Sequence, residues 1–251
     1  VRDVLTSGAA IFGDTWPAIA VLPKGKTNAL TFDLGVPVGW TLQRAIDAFD
    51  QGRRVRRRPL EITPIGGSPD ARALGFFLGG GAFTTATTAG QKAHKIGAFN
   101  SMAVALATFL GVSQWLFATR ENPWRRGARM AIGLGGKDIP MEHSGVGDPE
   151  FRQIVLASTL ERMPAGMNPF GKLCDGVKLA VTDQISRKSA LTLLKVSRGQ
   201  TPPGLREKGF HQIATPQFSL RIEESFILDG EAFPPGEYRI SRGPELEFVA
   251  P

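Results

Sequence analysis

An α+β protein is the fold class this sequence predicts: a short α/β unit followed by a larger antiparallel β-sandwich. Three observations carry the expectation. Residues 1–50 alternate apolar strand-like runs with helical patterns. Five arginines within Gly52–Arg58 (Arg53, Arg54, Arg56, Arg57 and Arg58) then mark a change of texture. Beyond them most segments read as short strands punctuated by Gly, Pro, Asn or Asp. Thirty glycines and 18 prolines in 251 residues require many turns, which favours a β-rich body over a helical bundle. The expected division is residues 1–52 and 53–251, with the last strand able to return toward the first domain.

Taken in order, Val1–Ala10 reads as the tail of a helix running into Ser7-Gly8. Ala18–Leu22, between Pro17 and Pro23, reads as a buried strand. A Pro-Lys-Gly-Lys turn leads from it to a short helical pattern, Asn28–Leu34, closed by Gly35. Thr41 can cap a helix whose apolar positions Leu42, Ala45, Ile46 and Phe49 follow the i, i+3, i+4, i+7 rule, with Gly52 as its stop. After the arginines the expected strands are Leu60–Ile65, Ala73–Gly79, Ala128–Leu134, Gln153–Ser158, Val177–Thr182, Phe218–Ile222, Ser225–Leu228, Glu237–Ser241 and Leu246–Val249. Alternation in Phe218–Ile222 predicts a half-buried strand. Two helices interrupt them: one with a stripe at Phe99, Met102, Leu106, Phe109 and Leu110, and one capped by Ser186 and stopped by Gly199.

Composition narrows the possibilities. A hydrophobic fraction of 42% with 21% charged residues is ordinary for a globular protein. One cysteine excludes an intrachain disulfide and fits a reducing compartment, and three histidines argue against a Cys/His zinc site. Cys174 reads as a small packed residue. The most apolar run, Gly97–Val112, contains Asn100, Ser101 and Thr108 and falls short of a membrane span. No signal peptide is visible. The net charge of +7, with the arginine run at its centre, fits nucleic acid, anionic lipid headgroups, nucleotide phosphates or a solvated linker. No aromatic-interleaved motif accompanies the arginines, so nucleic acid is not expected.

Two places can carry chemistry. Val21–Pro37 places a glycine turn between an apolar strand and a helix start, the layout that exposes backbone N–H groups to a phosphate. Far downstream, Ser225–Leu228 delivers Asp229 and Glu231 to a turn at Gly230. One acid can serve as general base while the other orients it or holds a metal; the same triplet is also a common hairpin turn.

Together these motifs resemble the diacylglycerol kinase catalytic family of lipid kinases, which includes the sphingosine kinases. Leu22-Pro23, Gly25, Lys26-Thr27, Asn28 and Leu34-Gly35-Val36-Pro37 correspond to its second block. Asp229-Gly230-Glu231 corresponds to the third. Between them, Gly75–Gly81 with Gly97-Ala98-Phe99 resembles the start of its lipid-binding domain, and Asn168–Gly171 with Cys174–Leu179 a later loop and strand.

The resemblance covers nearly the whole chain and implies the C-terminal part of an α/β nucleotide-binding domain followed by a β-sandwich lipid-binding domain. It further implies ATP and Mg²⁺ as cofactors and a lipid hydroxyl as acceptor. Glu231, with Asp229, would be catalytic, and Gly25, Lys26, Thr27 and Asn28 would bind nucleotide. Metal ligands stay unassigned. The arginines would draw a cytoplasmic enzyme to the anionic inner face of the membrane.

Departures are equally specific. The family's Gly-Gly-Asp-Gly-Thr loop is absent and the chain opens at Val1, so the expectation is a fragment beginning just after that loop, itself inactive. Lys26 stands where the family has Thr or Ser, and Ala29 where many members have Asp. A non-catalytic lipid- or nucleotide-binding module of the same fold is the alternative.

Overall fold

The computed structural model describes residues 2–13, 15–24, 28–68, 71–95, 119 and 121–251. The expected helix with the Phe99–Leu110 stripe lies outside the described residues. The α+β class is as the sequence predicts, with three sheets among the described residues.

The smallest sheet has the order β1 (Ile19–Ala20), β16 (Leu246–Val249), β2 (Arg54–Arg57). Ile19 stands parallel to Phe248, and Phe248 antiparallel to Val55. The arginine run is therefore partly a strand. Arg56 pairs with Glu245 and Glu247, and Arg58 with Glu245. Arg57 is drawn inward onto Asp33, and the Arg54 guanidinium lies 4.1 Å from the Phe49 ring centre. Arg53 is exposed.

Three helices pack with this sheet: α1 (Arg2–Phe12), α2 (Ala29–Asp33) and α3 (Leu42–Asp50). Thr41 caps α3 by accepting the Arg44 N–H at 3.3 Å. The face of α3 differs from the expected stripe. Ala45 and Ala48 are buried, while Leu42, Ile46 and Phe49 are exposed. Small alanines allow α3 to approach the core around Phe248 closely, which turns the bulky side chains outward.

The sandwich is built from two antiparallel sheets. One has the order β11 (Phe210–Thr215), β10 (Val177–Thr182), β9 (Ile154–Ser158), β5 (Phe77–Gly81), β13 (Phe226–Leu228), β14 (Glu231–Phe233). The other runs β4 (Ala73–Gly75), β3 (Leu60–Pro64), β15 (Gly236–Arg242), β12 (Gln217–Ile222), β6 (Ala128–Leu134), β7 (Ile139–Pro140), with β8 (Phe151–Arg152) also on β6. Leu78, Val155, Leu179 and Phe226 from the first sheet meet Ile62, Ile132, Leu220 and Ile240 from the second. Each fully buried side chain of this size stabilises the fold by roughly 1.5–3 kcal/mol.

A second core joins the helices to the sandwich through Leu5, Leu30, Leu34 and Trp40 against Leu74, Phe76, Leu160 and Phe248. The Phe76 and Phe248 rings meet edge to face at 5.9 Å. The expected single strand Ala73–Gly79 is broken at Phe76. There the chain leaves one sheet, where β4 pairs with β3, and enters the other, where β5 pairs with β9. Helix α4 (Ala82–Lys95) follows β5 directly. Cys174, expected to be packed, is exposed. The expected helix from Ser186 begins later, at Ala190, after a short 3₁₀ turn.

Candidate active site

The Asp-Gly-Glu turn is a two-residue hairpin. β13 is fully buried, Leu228 pairs with Glu231 across the turn, and Asp229 and Gly230 both have positive φ, 49° and 92°. Positive φ at both central residues is what a type I′ turn demands, and Asp-Gly is suited to it. The reading of the triplet as a hairpin turn is thus realised.

The Asp229 carboxylate does not face solvent freely. It folds back onto the strand break, accepting the Phe76 N–H at 3.0 Å and the Phe77 N–H at 2.9 Å. Its own N–H donates to the Phe77 carbonyl at 2.9 Å. Gly75 makes this approach possible: a Cβ there would lie 2.7 Å from Leu228 Cδ1 and 3.0 Å from Asp229 Oδ2. Burial pushes the Asp229 pKa up to about 6, against the opposing pull of the Phe76 and Phe77 N–H groups and of Arg2. A half-buried carboxylate so poised is ionised at neutral pH yet retains basicity.

Glu231, two residues on, is exposed and ion-paired with Arg2 of α1, whose guanidinium also lies 5.5 Å from the Phe233 ring centre. Helix α1 is further held by the Leu74 N–H donating to Thr6 Oγ1 at 3.1 Å and by Arg72 donating to the Ala9 carbonyl at 3.3 Å. Its first turn is thereby fixed beside the hairpin.

Of the expected nucleotide-binding turn, Gly25, Lys26 and Thr27 lie outside the described residues. Asn28 precedes α2 in the left-handed region (φ 46°, ψ 33°), a conformation asparagine tolerates. Its carbonyl accepts the Thr31 hydroxyl and the Phe32 N–H, both at 2.9 Å, while its side chain makes no capping bond. The carboxamide of Asn28 is thus not spent on the helix it starts. Among the described residues no group of three or more His, Cys, Asp or Glu side chains is placed to hold a metal ion.

Sequence reasoning gave Arg2 no part here and read Gly75, Phe76 and Phe77 only within the Gly75–Gly81 block. The last two contribute backbone N–H groups, which leave no trace in residue type.

A second buried carboxylate, Asp183, lies at the other end of the sandwich sheet. Ser158, Lys178 and Phe77 form the cross-strand row nearest helices α1–α3, and Ile154, Thr182 and Gly81 the row at the far end, four residues or roughly 13 Å away. Asp183, following Thr182, is paired with Arg152, accepts the Ser144 N–H at 3.0 Å and meets His211 Nε2 at 3.0 Å. Hydrogen bonds from His211 and Ser144, together with the Arg152 charge, outweigh its burial and hold it well below the usual carboxylate range. Arg152, Ser144 and His211 engage both of its oxygens, which fits a structural role.

No protein-family model matches the sequence, and no curated protein is significantly similar to it. Solved structures are similar in fold. A diacylglycerol kinase crystal structure from Bacillus anthracis str. Sterne aligns over 95% of this chain and 68% of its own, with a TM-score of 0.55 and 11% identity. Two further structures from the same strain, of proteins assigned as diacylglycerol kinases, give TM-scores of 0.62 and 0.59 at 13% and 12% identity. They cover 98% and 95% of this chain and 72% and 71% of theirs. The chain has the fold of these bacterial diacylglycerol kinase structures.

Proposed function

We propose that this protein is an ATP-dependent lipid kinase of the diacylglycerol kinase type, moving the γ-phosphate of ATP to a lipid hydroxyl. The observation that carries the reading is the Asp229 carboxylate. It is held by two backbone N–H groups, raised to about 6, and set at a hairpin turn against the first turn of α1.

In this reading Asp229, rather than Glu231 alone, is the general base. It takes the proton of the acceptor hydroxyl as that oxygen attacks the γ-phosphorus in line and the bond to the ADP oxygen breaks. Glu231, anchored by Arg2, keeps α1 and the turn in register. The Gly25–Asn28 turn holds the nucleotide, with the Asn28 carboxamide free of any capping duty to contact it. ATP enters as its Mg²⁺ complex. Among the described residues no cluster of His, Cys, Asp or Glu side chains is placed to hold that ion.

Catalysis then rests on positioning and charge stabilisation. Docking on an anionic membrane would fall to Arg53 and Arg54, because Arg56, Arg57 and Arg58 are engaged with carboxylates. A cytoplasmic enzyme working at the inner membrane face is consistent with that surface. No described helix is long and apolar enough to cross a membrane.

The test is phosphate transfer from labelled ATP to dioleoylglycerol or sphingosine by the complete gene product. Labelled lipid from the wild type and its loss in Asp229→Asn are expected, with a smaller loss in Glu231→Gln. No labelled lipid from the wild type with either acceptor overturns the reading.

A further inference from the structure

The two halves of the site are joined by a segment the sequence did not single out. Ser158 ends β9 and is fully buried. Its hydroxyl donates to the Phe76 carbonyl at 2.8 Å and accepts the Leu160 N–H at 3.1 Å. The Phe76 carbonyl and the Phe77 N–H belong to one planar trans peptide, so they point in opposite directions. Ser158 therefore holds one edge of that peptide while the other edge presents its N–H to Asp229 Oδ1 at 2.9 Å. At the strand break this peptide is oriented by side chains on either side rather than by a neighbouring strand.

Four residues on, the same segment grips α2. The Arg162 N–H donates to Asp33 Oδ1 at 2.7 Å, and Arg57 Nε to Asp33 Oδ2 at 2.7 Å. Arg57 Nη2 reaches Glu161 at 2.9 Å, and the buried Lys178 ammonium donates to the Leu160 carbonyl. Asp33 is fully buried, and its helix has only five residues, too few to be stable without tertiary support. Asn28 starts that helix.

We infer that residues 158–162 form a hydrogen-bonded strut tying Asn28, at the start of α2, to the strand break that holds Asp229, with Ser158 and Asp33 as positioning residues for phosphoryl transfer. This rests on the kinase reading above and adds to it two residues that touch neither substrate. Each end of the strut governs a different substrate. Ser158 orients the peptide that aims Asp229 at the acceptor, and Asp33 seats the helix that presents Asn28 to ATP. Misplacement by about an ångström at either end is enough to cost up to ~100-fold.

The experiment is steady-state kinetics of the complete gene product with MgATP and dioleoylglycerol micelles, with Tm measured alongside. Ser158→Ala is expected to lower kcat on the order of 10-fold with KM for ATP changed less than about 2-fold. Ser158→Cys, which is slightly larger and keeps a weak donor, falls between and carries the test if the alanine variant does not fold. Asp33→Asn is expected to raise KM for ATP on the order of 10-fold at nearly constant kcat. Thr215→Val removes another buried hydroxyl-to-carbonyl bond, from the edge strand β11, and is expected to lower Tm without moving either constant. If the Ser158 and Asp33 variants only lower Tm, as Thr215→Val does, or change kcat and KM together, the strut is overturned while the kinase reading stands. A wild type that phosphorylates no lipid overturns the kinase reading, and the strut falls with it.

Discussion

Replacing Asp229 with asparagine separates the chemistry of this carboxylate from its structural role. The acid's pKa rises from 3.8 to about 6 on folding, chiefly through burial. The sign follows from proton linkage. Between those values the folded state binds more protons than the unfolded one, so stability falls as pH rises through this window. Two pKa units correspond to about 3 kcal/mol, an upper bound on what the ionised acid costs at neutral pH. Asparagine keeps an oxygen for the Phe76 and Phe77 N–H groups and carries no charge to desolvate. The variant should therefore be more stable at pH 7.5 by on the order of 1–2 kcal/mol, or roughly 2–8 °C in Tm. Below about pH 4, where aspartate is protonated in both states, the gain should vanish. Lipid kinase activity should fall at least ~100-fold in the same variant, the scale of a lost general base. Scanning calorimetry across pH with parallel turnover assays reads both. An equally active variant, or one destabilised at every pH, would refute the assignment of Asp229 as a buried, poised base.

Five further outcomes are expected. Gly75→Ala should push Leu228 and Asp229 aside, costing about 1–3 kcal/mol in urea unfolding and most of the turnover. Asp183→Asn should cost about 3–5 kcal/mol because it strands Arg152 in a buried site, with KM for ATP unchanged. Beside Asp183, His143 has its pKa lowered, chiefly by burial. The stability it contributes above pH 6.5 is lost as pH falls below that value, and His143→Gln should flatten this loss in chemical unfolding. Arg57→Ala should destabilise by about 3–5 kcal/mol by orphaning Asp33. Arg53→Ala should leave stability within about 0.5 kcal/mol and weaken binding to phosphatidylserine vesicles by about 1 kcal/mol.

Legibility in the sequence followed the strength of the local signal. Ala128–Leu134, Val177–Thr182 and Leu246–Val249 are strands where their apolar runs place them. Phe210–Thr215 escaped because His211 and Gln212 give it a polar look; His211 is nonetheless buried, paid for by its contact with Asp183 at 3.0 Å. Arg54–Arg57 escaped for the opposite reason. A charge run reads as solvated, and the carboxylates that neutralise it, Glu245 and Glu247, lie almost two hundred positions away. The α3 stripe misled because helical periodicity marks an apolar face without saying whether large or small residues meet the core. At the site, the Asp-Gly-Glu triplet was visible as residue types. Its environment was not: the groups that set the behaviour of Asp229 are two backbone N–H groups at a strand break, oriented by a serine from a third strand.

That distribution shows how the Asp229 hairpin and Asn28, some two hundred residues apart in sequence, are tied to one framework. β16 lies between β1 and β2, so the small sheet exists only once the chain has completed the sandwich and returned. Phe248 on that strand packs edge to face on Phe76, whose N–H reaches Asp229 and whose carbonyl reaches Ser158. From Ser158 the chain runs to Arg162 and Asp33, and so to the helix begun by Asn28. Both turns are therefore referred to one residue, Phe76, at the point where the chain passes between sheets. Such a residue belongs to neither ladder, and its backbone polar groups must find side-chain partners. Supplying those partners is what places an acid and an asparagine against a common frame. The strand break that ends regular pairing is thus the feature on which the proposed site depends.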